Sequence, residues 1–142
     1  MPSFDGISEA DLSAIRGTVS DYYEGWCRAD GARMERAIHP RLAKRAVIRR
    51  ADGSVGFDES AADEMIAATG AGEGARYGGE LHTSVLHAFR NVATVLMRSD
   101  PYVEYLHLAR VDGAWRIINA LWEPTDSWLE LNPSIAHCFT DR

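Results

Sequence analysis

Tyr102-Val-Glu-Tyr-Leu-His-Leu-Ala-Arg-Val111, Asp112-Gly113 and Ala114-Trp-Arg-Ile-Ile-Asn-Ala-Leu-Trp122 read as two apolar-rich strands around a two-residue turn. Asp-Gly between such runs is the strongest short-range hairpin signal, because both turn positions tolerate positive φ. Working outward, Glu80 to Phe89 and Val92 to Arg98 form two more strands, joined by turns short enough for antiparallel neighbours. The chain before them is helical. Ser8 opens a first helix with Asp11 three positions on, a capping-box variant. Leu12, Ile15, Val19, Tyr22 and Trp26 then recur at helical spacing and lay down one apolar stripe, which Tyr23 and Cys27 widen. Asp30 caps a short second helix through Met34, Ala37 and Ile38, stopped by Pro40. Ala43 to Arg50 alternates as a strand, ended by the Asp52-Gly53 turn, and Asp58 caps a third helix that closes near Gly70. Residues 71–79 are glycine-rich and read as a mobile connection. Helices first and a run of antiparallel strands afterwards predict an α+β fold, with three N-terminal helices gathered on one face of the sheet.

The 142 residues suit one domain, 1–142, with a core over about 8–124 and a tail over 125–142 that packs down through Trp128, Leu129 and Ile135. Composition is that of a soluble globular protein, 46% hydrophobic and 25% charged. A net charge of −6 argues against a nucleic-acid surface. Arg41, Lys44, Arg45, Arg49 and Arg50 read as a solvated strand face. Cys27 and Cys138 have neither disulfide-framework nor metal-ligand spacing, which predicts a reduced, cytoplasmic protein. The start lacks a basic segment followed by an apolar run, and no stretch is long and apolar enough for a membrane span.

Alternation sorts the side chains by face. In the third of the four C-terminal strands, Val103, Tyr105, His107, Ala109 and Val111 share one face; in the last, Arg116, Ile118, Ala120 and Trp122 do. Neither strand has a cleanly polar side, so both faces of the sheet should be covered, one by helices and the other by a second copy of the chain. Ala109 and Ala120 leave room for a ligand, which places the expected pocket on the face of Tyr105, His107 and Trp122.

At these residues the chain resembles the nuclear transport factor 2-like superfamily, the conical α+β fold shared by ketosteroid isomerase, scytalone dehydratase and the SnoaL-like polyketide cyclases. The carrying features are Ile38-His39-Pro40, Ala93-Thr94-Val95, Tyr102 with Tyr105-Leu106, Asp112-Gly113 with Trp115-Arg116-Ile117, and Trp122. Within the superfamily it is most similar to the branch described as putative lumazine-binding. The resemblance implies a cystatin-like cone with a curved, mostly antiparallel sheet. It sets His107 where the isomerase has the aspartic acid of its oxyanion hole, Trp122 at an apolar wall, Tyr23 near a pocket tyrosine of the first helix, and His39 where a second tyrosine stands. The isomerase's general base falls near the apolar Val47, which argues against steroid isomerisation. The dehydratase's paired histidines correspond to His82 and His107.

The resulting expectation is a pocket for an apolar or aromatic molecule of metabolite size in a homodimer. His107 and His39 are its candidate acid/base groups, since histidine titrates near neutrality. Tyr23, Cys27, Tyr105, Trp122 and His82 are its candidate lining residues. The implied chemistry is cofactor-free isomerisation, dehydration or cyclisation of a carbonyl compound; the alternative is a ligand-sequestering or protein-interaction module of the same fold. No metal is expected, because His82 and His87 read as lying on opposite strand faces and no third ligand converges with them. Gly70, Gly72, Gly74, Gly78 and Gly79 follow a helix and lack the Lys-Ser/Thr of a phosphate loop.

Overall fold

The computed structural model describes residues 4–139. Helix α1 (Glu9–Cys27) starts at Ser8, whose hydroxyl accepts from the Asp11 amide while the Asp11 carboxylate accepts from the Ser8 amide. The expected capping box is therefore present. Asp30 caps α2 (Gly31–Ala37) through the Arg33 amide. The two helices meet closely at Gly25, where a Cβ would press on the Met34 amide at 3.1 Å.

Six strands form one sheet in the order β2-β1-β6-β5-β4-β3. They are β1 (Ile38–Arg49), β2 (Val55–Ser60), β3 (His82–Phe89), β4 (Val92–Arg98), β5 (Tyr102–Val111) and β6 (Ala114–Pro124). All neighbours are antiparallel except β1 and β6, which run parallel and close the gap between the first strand and the last. The sheet is curved and open, and the fold is α+β, as the hairpin reading predicted. Asp112 and Gly113 turn the β5–β6 hairpin at φ +51° and +80°, the doubly positive geometry that the Asp-Gly signal requires.

Strand β2 departs from expectation. Asp58 belongs to it rather than capping the third helix, and α3 (Ala62–Gly70) starts after Ala61, whose amide is held by Glu64. Only the outer half of β2 alternates with apolar residues, Val55 and Phe57, and Gly56 sits between them, so the strand pattern is thin. The tail packs down as expected. Helix α4 (Asp126–Leu131) buries Trp128, and a short 3-10 turn (Ala136–Cys138) follows. No helix among the described residues is long and apolar enough to cross a membrane.

The helices cover the concave face. Ile15 and Val19 from α1 pack with Met34, Ile38, Val95, Met97, Leu106, Leu108 and Ile117 into one core. A polar node ties the start of α1 to the hairpin: Asp11 Oδ1 accepts from Arg110 Nη1 at 2.7 Å and from Trp115 Nε1 at 3.2 Å.

The sides of the sheet correct the sequence-based assignment. On β5 the inward residues are Tyr102, Glu104, Leu106 and Leu108, while Tyr105 and His107 point outward. On β6, His107 pairs with Asn119 and Leu108 with Ile117, so Ile118 is a bulge without its own partner. Before the bulge Trp115 and Ile117 face in; after it Ala120 and Trp122 do. Strict alternation cannot anticipate such a parity change, and it wrongly groups Trp122 with Tyr105 and His107. A second bulge at Leu86 brings His82 and His87 to the same, outward face, with His82 opposite Arg98 and His87 opposite Thr94. Val47 also faces outward and is 46% exposed.

Candidate functional site

The cavity between the helices and the open end of the sheet has a volume of about 950 Å³. Helix α1 contributes Tyr22, Tyr23 and Trp26, β1 gives Lys44, β5 gives Tyr102 and Glu104, and β6 gives Trp122. The roof combines α3, the glycine-rich stretch around Arg76 and Tyr77, and the tail at Trp128, Asn132 and Ile135. Roof and tail are joined by Asn132, whose amide donates to Tyr77 Oη at 2.9 Å and whose side-chain oxygen accepts from Arg76.

Seven aromatic side chains line this space. Along the wall, Tyr77 meets Tyr102 edge-on at 5.6 Å, Tyr102 meets Trp122 at 5.7 Å and Trp122 meets Trp128 at 6.4 Å. Edge-to-face rings at these separations are favourable and hold one another rigidly. Tyr102 is fixed further by Trp26, whose indole N–H donates to its hydroxyl at 2.9 Å. Tyr23 Oη donates to the Gly78 carbonyl at 2.8 Å, which pins the glycine-rich stretch to α1.

One charged cluster stands among these rings. Glu104 is 2% exposed. Its Oε1 accepts from Tyr22 Oη at 2.8 Å, and Lys44 Nζ lies 3.4 Å from the same oxygen. Lys44 Nζ also donates to Tyr22 Oη, at 2.5 Å. The ammonium sits 5.0 Å from the Tyr22 ring centre and 5.5 Å from that of Trp122, so two π faces share in stabilising the cation. The register explains the convergence: Glu104 is opposite Trp122 on β6, and Lys44 is beside Ala120 on the parallel side of β6. Burial, and then the neighbouring Glu104 charge, hold the Tyr22 phenol well above its ordinary pKa. Burial likewise raises Tyr102 and Tyr23. All three are neutral hydroxyls rather than phenolates, and Tyr22 both donates, to Glu104, and accepts, from Lys44.

Of the residues singled out from sequence, Tyr23 and Trp122 line this cavity. Cys27 packs against the core beside it, with its thiol pKa raised by burial. Tyr105 is 53% exposed on the outer face. His107 is also on that face, its Nδ1 3.4 Å from Asn119 Nδ2, in a shallow depression of about 260 Å³ shared with His87 and Thr94. His39 accepts from the Arg41 amide at 3.0 Å in the irregular first part of β1. His82 is exposed and lies 3.5 Å from Glu80. The structure therefore does not bring the histidines together with Tyr23 and Trp122.

Sequence reasoning passes over Glu104 and wrongly reads Lys44 as part of a solvated strand face, whereas Lys44 turns into the cavity, 13% exposed; each carries a signal. Glu104 interrupts an otherwise apolar series, Tyr102, Leu106 and Leu108, and Lys44 falls between Leu42 and Ala46. A charge in phase with buried neighbours has to find a partner.

No curated protein matches the chain. Several solved structures share its fold. One is a nuclear transport factor 2-like protein of unknown function from Silicibacter pomeroyi, with a TM-score of 0.63 at 16% identity, covering 82% of this chain and 97% of that one. Another, from Nostoc punctiforme, is a protein of unknown function with a cystatin-like fold, with a TM-score of 0.62 at 11% identity over 84% of this chain and 94% of its own. A third, from Shewanella baltica and also of unknown function, has a TM-score of 0.59 at 13% identity, covering 82% and 94%. At such identities the likeness establishes the fold alone. The family model described as "Putative lumazine-binding" matches residues 10–123, from the first turn of α1 to the end of the last strand. The chain belongs to that family and has the nuclear transport factor 2-like, cystatin-like fold.

Proposed function

We propose that this protein binds an apolar or aromatic small molecule of metabolite size in the cavity between α1, α3 and the sheet. The observation that carries the reading is a volume of about 950 Å³ walled largely by aromatic rings, with a buried charged cluster at Glu104. Ligand sites are concave and mostly apolar, with a few polar groups that fix orientation. The family's name points to fused heteroaromatics as the class to try first. The finer expectation of cofactor-free isomerisation, dehydration or cyclisation rests on the superfamily resemblance. Inside the cavity its proton-handling groups would be Glu104, Lys44 and Tyr22, because His107 and His39 lie outside the lining.

The outer face supports a second part of the proposal, a homodimer through the sheet. Tyr105, Leu121, Val47 and Phe57 lie on four adjacent strands and are each about half exposed. The Tyr105–Leu121 and Val47–Phe57 register pairs, with the Arg45–Glu59 ion pair between them, favour a self-complementary partner.

A thermal-shift screen against flavins, pterins, lumazines, steroids and polyketide-like aromatics tests the pocket. A compound at ~100 times its dissociation constant adds about 2.7 kcal/mol to the native state. The expected result is a concentration-dependent rise for planar aromatics that Trp122→Ala diminishes. No rise for any compound overturns the pocket reading and leaves the outer face as the working surface.

A further inference from the structure

The hydrogen-bonding capacity of the buried cluster is unevenly used. Both groups that approach the Glu104 carboxylate, Tyr22 Oη and Lys44 Nζ, do so at Oε1. Oε2 has no partner among the described residues. No sealed side-chain nitrogen or oxygen among those residues lacks a partner, so Oε2 opens onto the cavity that Glu104 lines. Lys44 is in a matching state. An ammonium carries three N–H groups; two are directed at Tyr22 Oη and Glu104 Oε1, and the side chain is 13% exposed in the same cavity.

An acceptor and a donor therefore stand side by side in an aromatic chamber, each with hydrogen-bonding capacity to spare. Stability alone does not account for them, since an apolar pair of similar volume is often as stable as a buried ion pair or more so.

We infer that this corner reads a planar ligand by an edge on which a hydrogen-bond donor adjoins an acceptor, as in a cyclic imide or lactam. Oε2 of Glu104 accepts from the ring N–H, and Lys44 Nζ donates to the neighbouring carbonyl oxygen. The aromatic walls hold the ring plane, with Trp122 beside both polar groups. This assignment rests on the cavity being a ligand site and adds which end of the ligand goes in and what it carries.

Two probes isolate the edge: 1,8-naphthalimide and N-methyl-1,8-naphthalimide have the same ring system, and only the first has the N–H. Fluorescence titration of wild-type protein should give at least tenfold tighter binding of the unmethylated imide, the ratio expected when a site's polar group is left unpaired. In Lys44→Met/Glu104→Leu, which exchanges the ion pair for an apolar one, the two should bind alike, with melting curves confirming that the variant is folded. The wild-type comparison needs no variant and decides by itself if the double variant fails to fold. Equal affinity of the two imides for wild type, or a preference that survives in the folded double variant, overturns the assignment and leaves the pocket reading intact. Failure of both imides to bind while other aromatics do overturns it equally. If nothing binds, both fall.

Discussion

Tyr105 and Leu121 are register partners on β5 and β6, and both side chains turn away from the helices, 53% and 50% exposed. Two large apolar groups set opposite each other on an uncovered sheet face are the centre of the proposed dimer. Tyr105→Asp combined with Leu121→Asp should halve the mass measured by light scattering and leave far-UV circular dichroism unchanged. A wild-type protein that is monomeric at micromolar concentration would refute the dimer outright.

Lys44 and Glu104 give a stability prediction. Lys44→Met leaves a buried carboxylate with only the Tyr22 hydroxyl, and breaking a buried pair costs about 3 kcal/mol or more. Lys44→Met/Glu104→Leu should recover most of that loss. Urea denaturation of wild type, both single variants and the double variant gives the coupling directly. Additive single effects would mean that the two groups do not interact.

Asp11 makes the acid limb of stability predictable. The Ser8 amide, and next the Trp115 indole, lower its carboxyl pKa to about 2, with Ser8 Oγ and Arg110 assisting. A depressed folded pKa contributes stability that is complete above the unfolded value, about 4, and is lost as pH falls through about 2. Asp11→Asn should therefore weaken the protein at neutral pH and flatten its unfolding midpoint between pH 4 and pH 2. An unchanged slope would exclude Asp11 as a contributor.

His107→Ala tests the reversal of faces. An exposed side chain outside the cavity should change stability by no more than about 0.5 kcal/mol and leave cavity-ligand affinity unaltered. If the substitution instead abolishes the ligand-induced thermal shift, the ligand lies on the outer face.

Gly74 is buried under Trp26, and a Cβ there would press on the indole at less than 3.0 Å, closer than real Cβ atoms approach. Gly74→Ala should displace Trp26, break its hydrogen bond to Tyr102 and cost about 1–3 kcal/mol as overpacking does. Denaturant titration gives the cost, and a red-shifted tryptophan emission would report the displaced ring.

The helices and most strands are legible in the chain because their signals are local. The Ser8–Asp11 box, the Asp30 cap and the Asp112-Gly113 turn each satisfy backbone groups within a few residues. Strand β2 is not legible, since Gly56 and Asp58 look like turn and cap residues until β1 supplies their ladder partners. The cavity is half legible. Tyr23 and Trp122 stand out in the sequence, but Glu104 and Lys44 meet only across β6, and Trp122 reaches their side only through a bulge that no local pattern announces.

Ile118 therefore acts as a parity switch for the last third of the hairpin. Pairing it into the ladder, with no change of sequence or length, would export Ala120 and Trp122 to the surface and draw Asn119 and Leu121 inward, whereas deleting it would restore plain alternation with Trp122 still inside. The pocket wall would be erased by a one-residue slip in register while every amino acid named as lining it remained in the chain. For anyone redesigning this scaffold, the unpaired step between Ile117 and Asn119 is thus as much a part of the binding site as the indole itself.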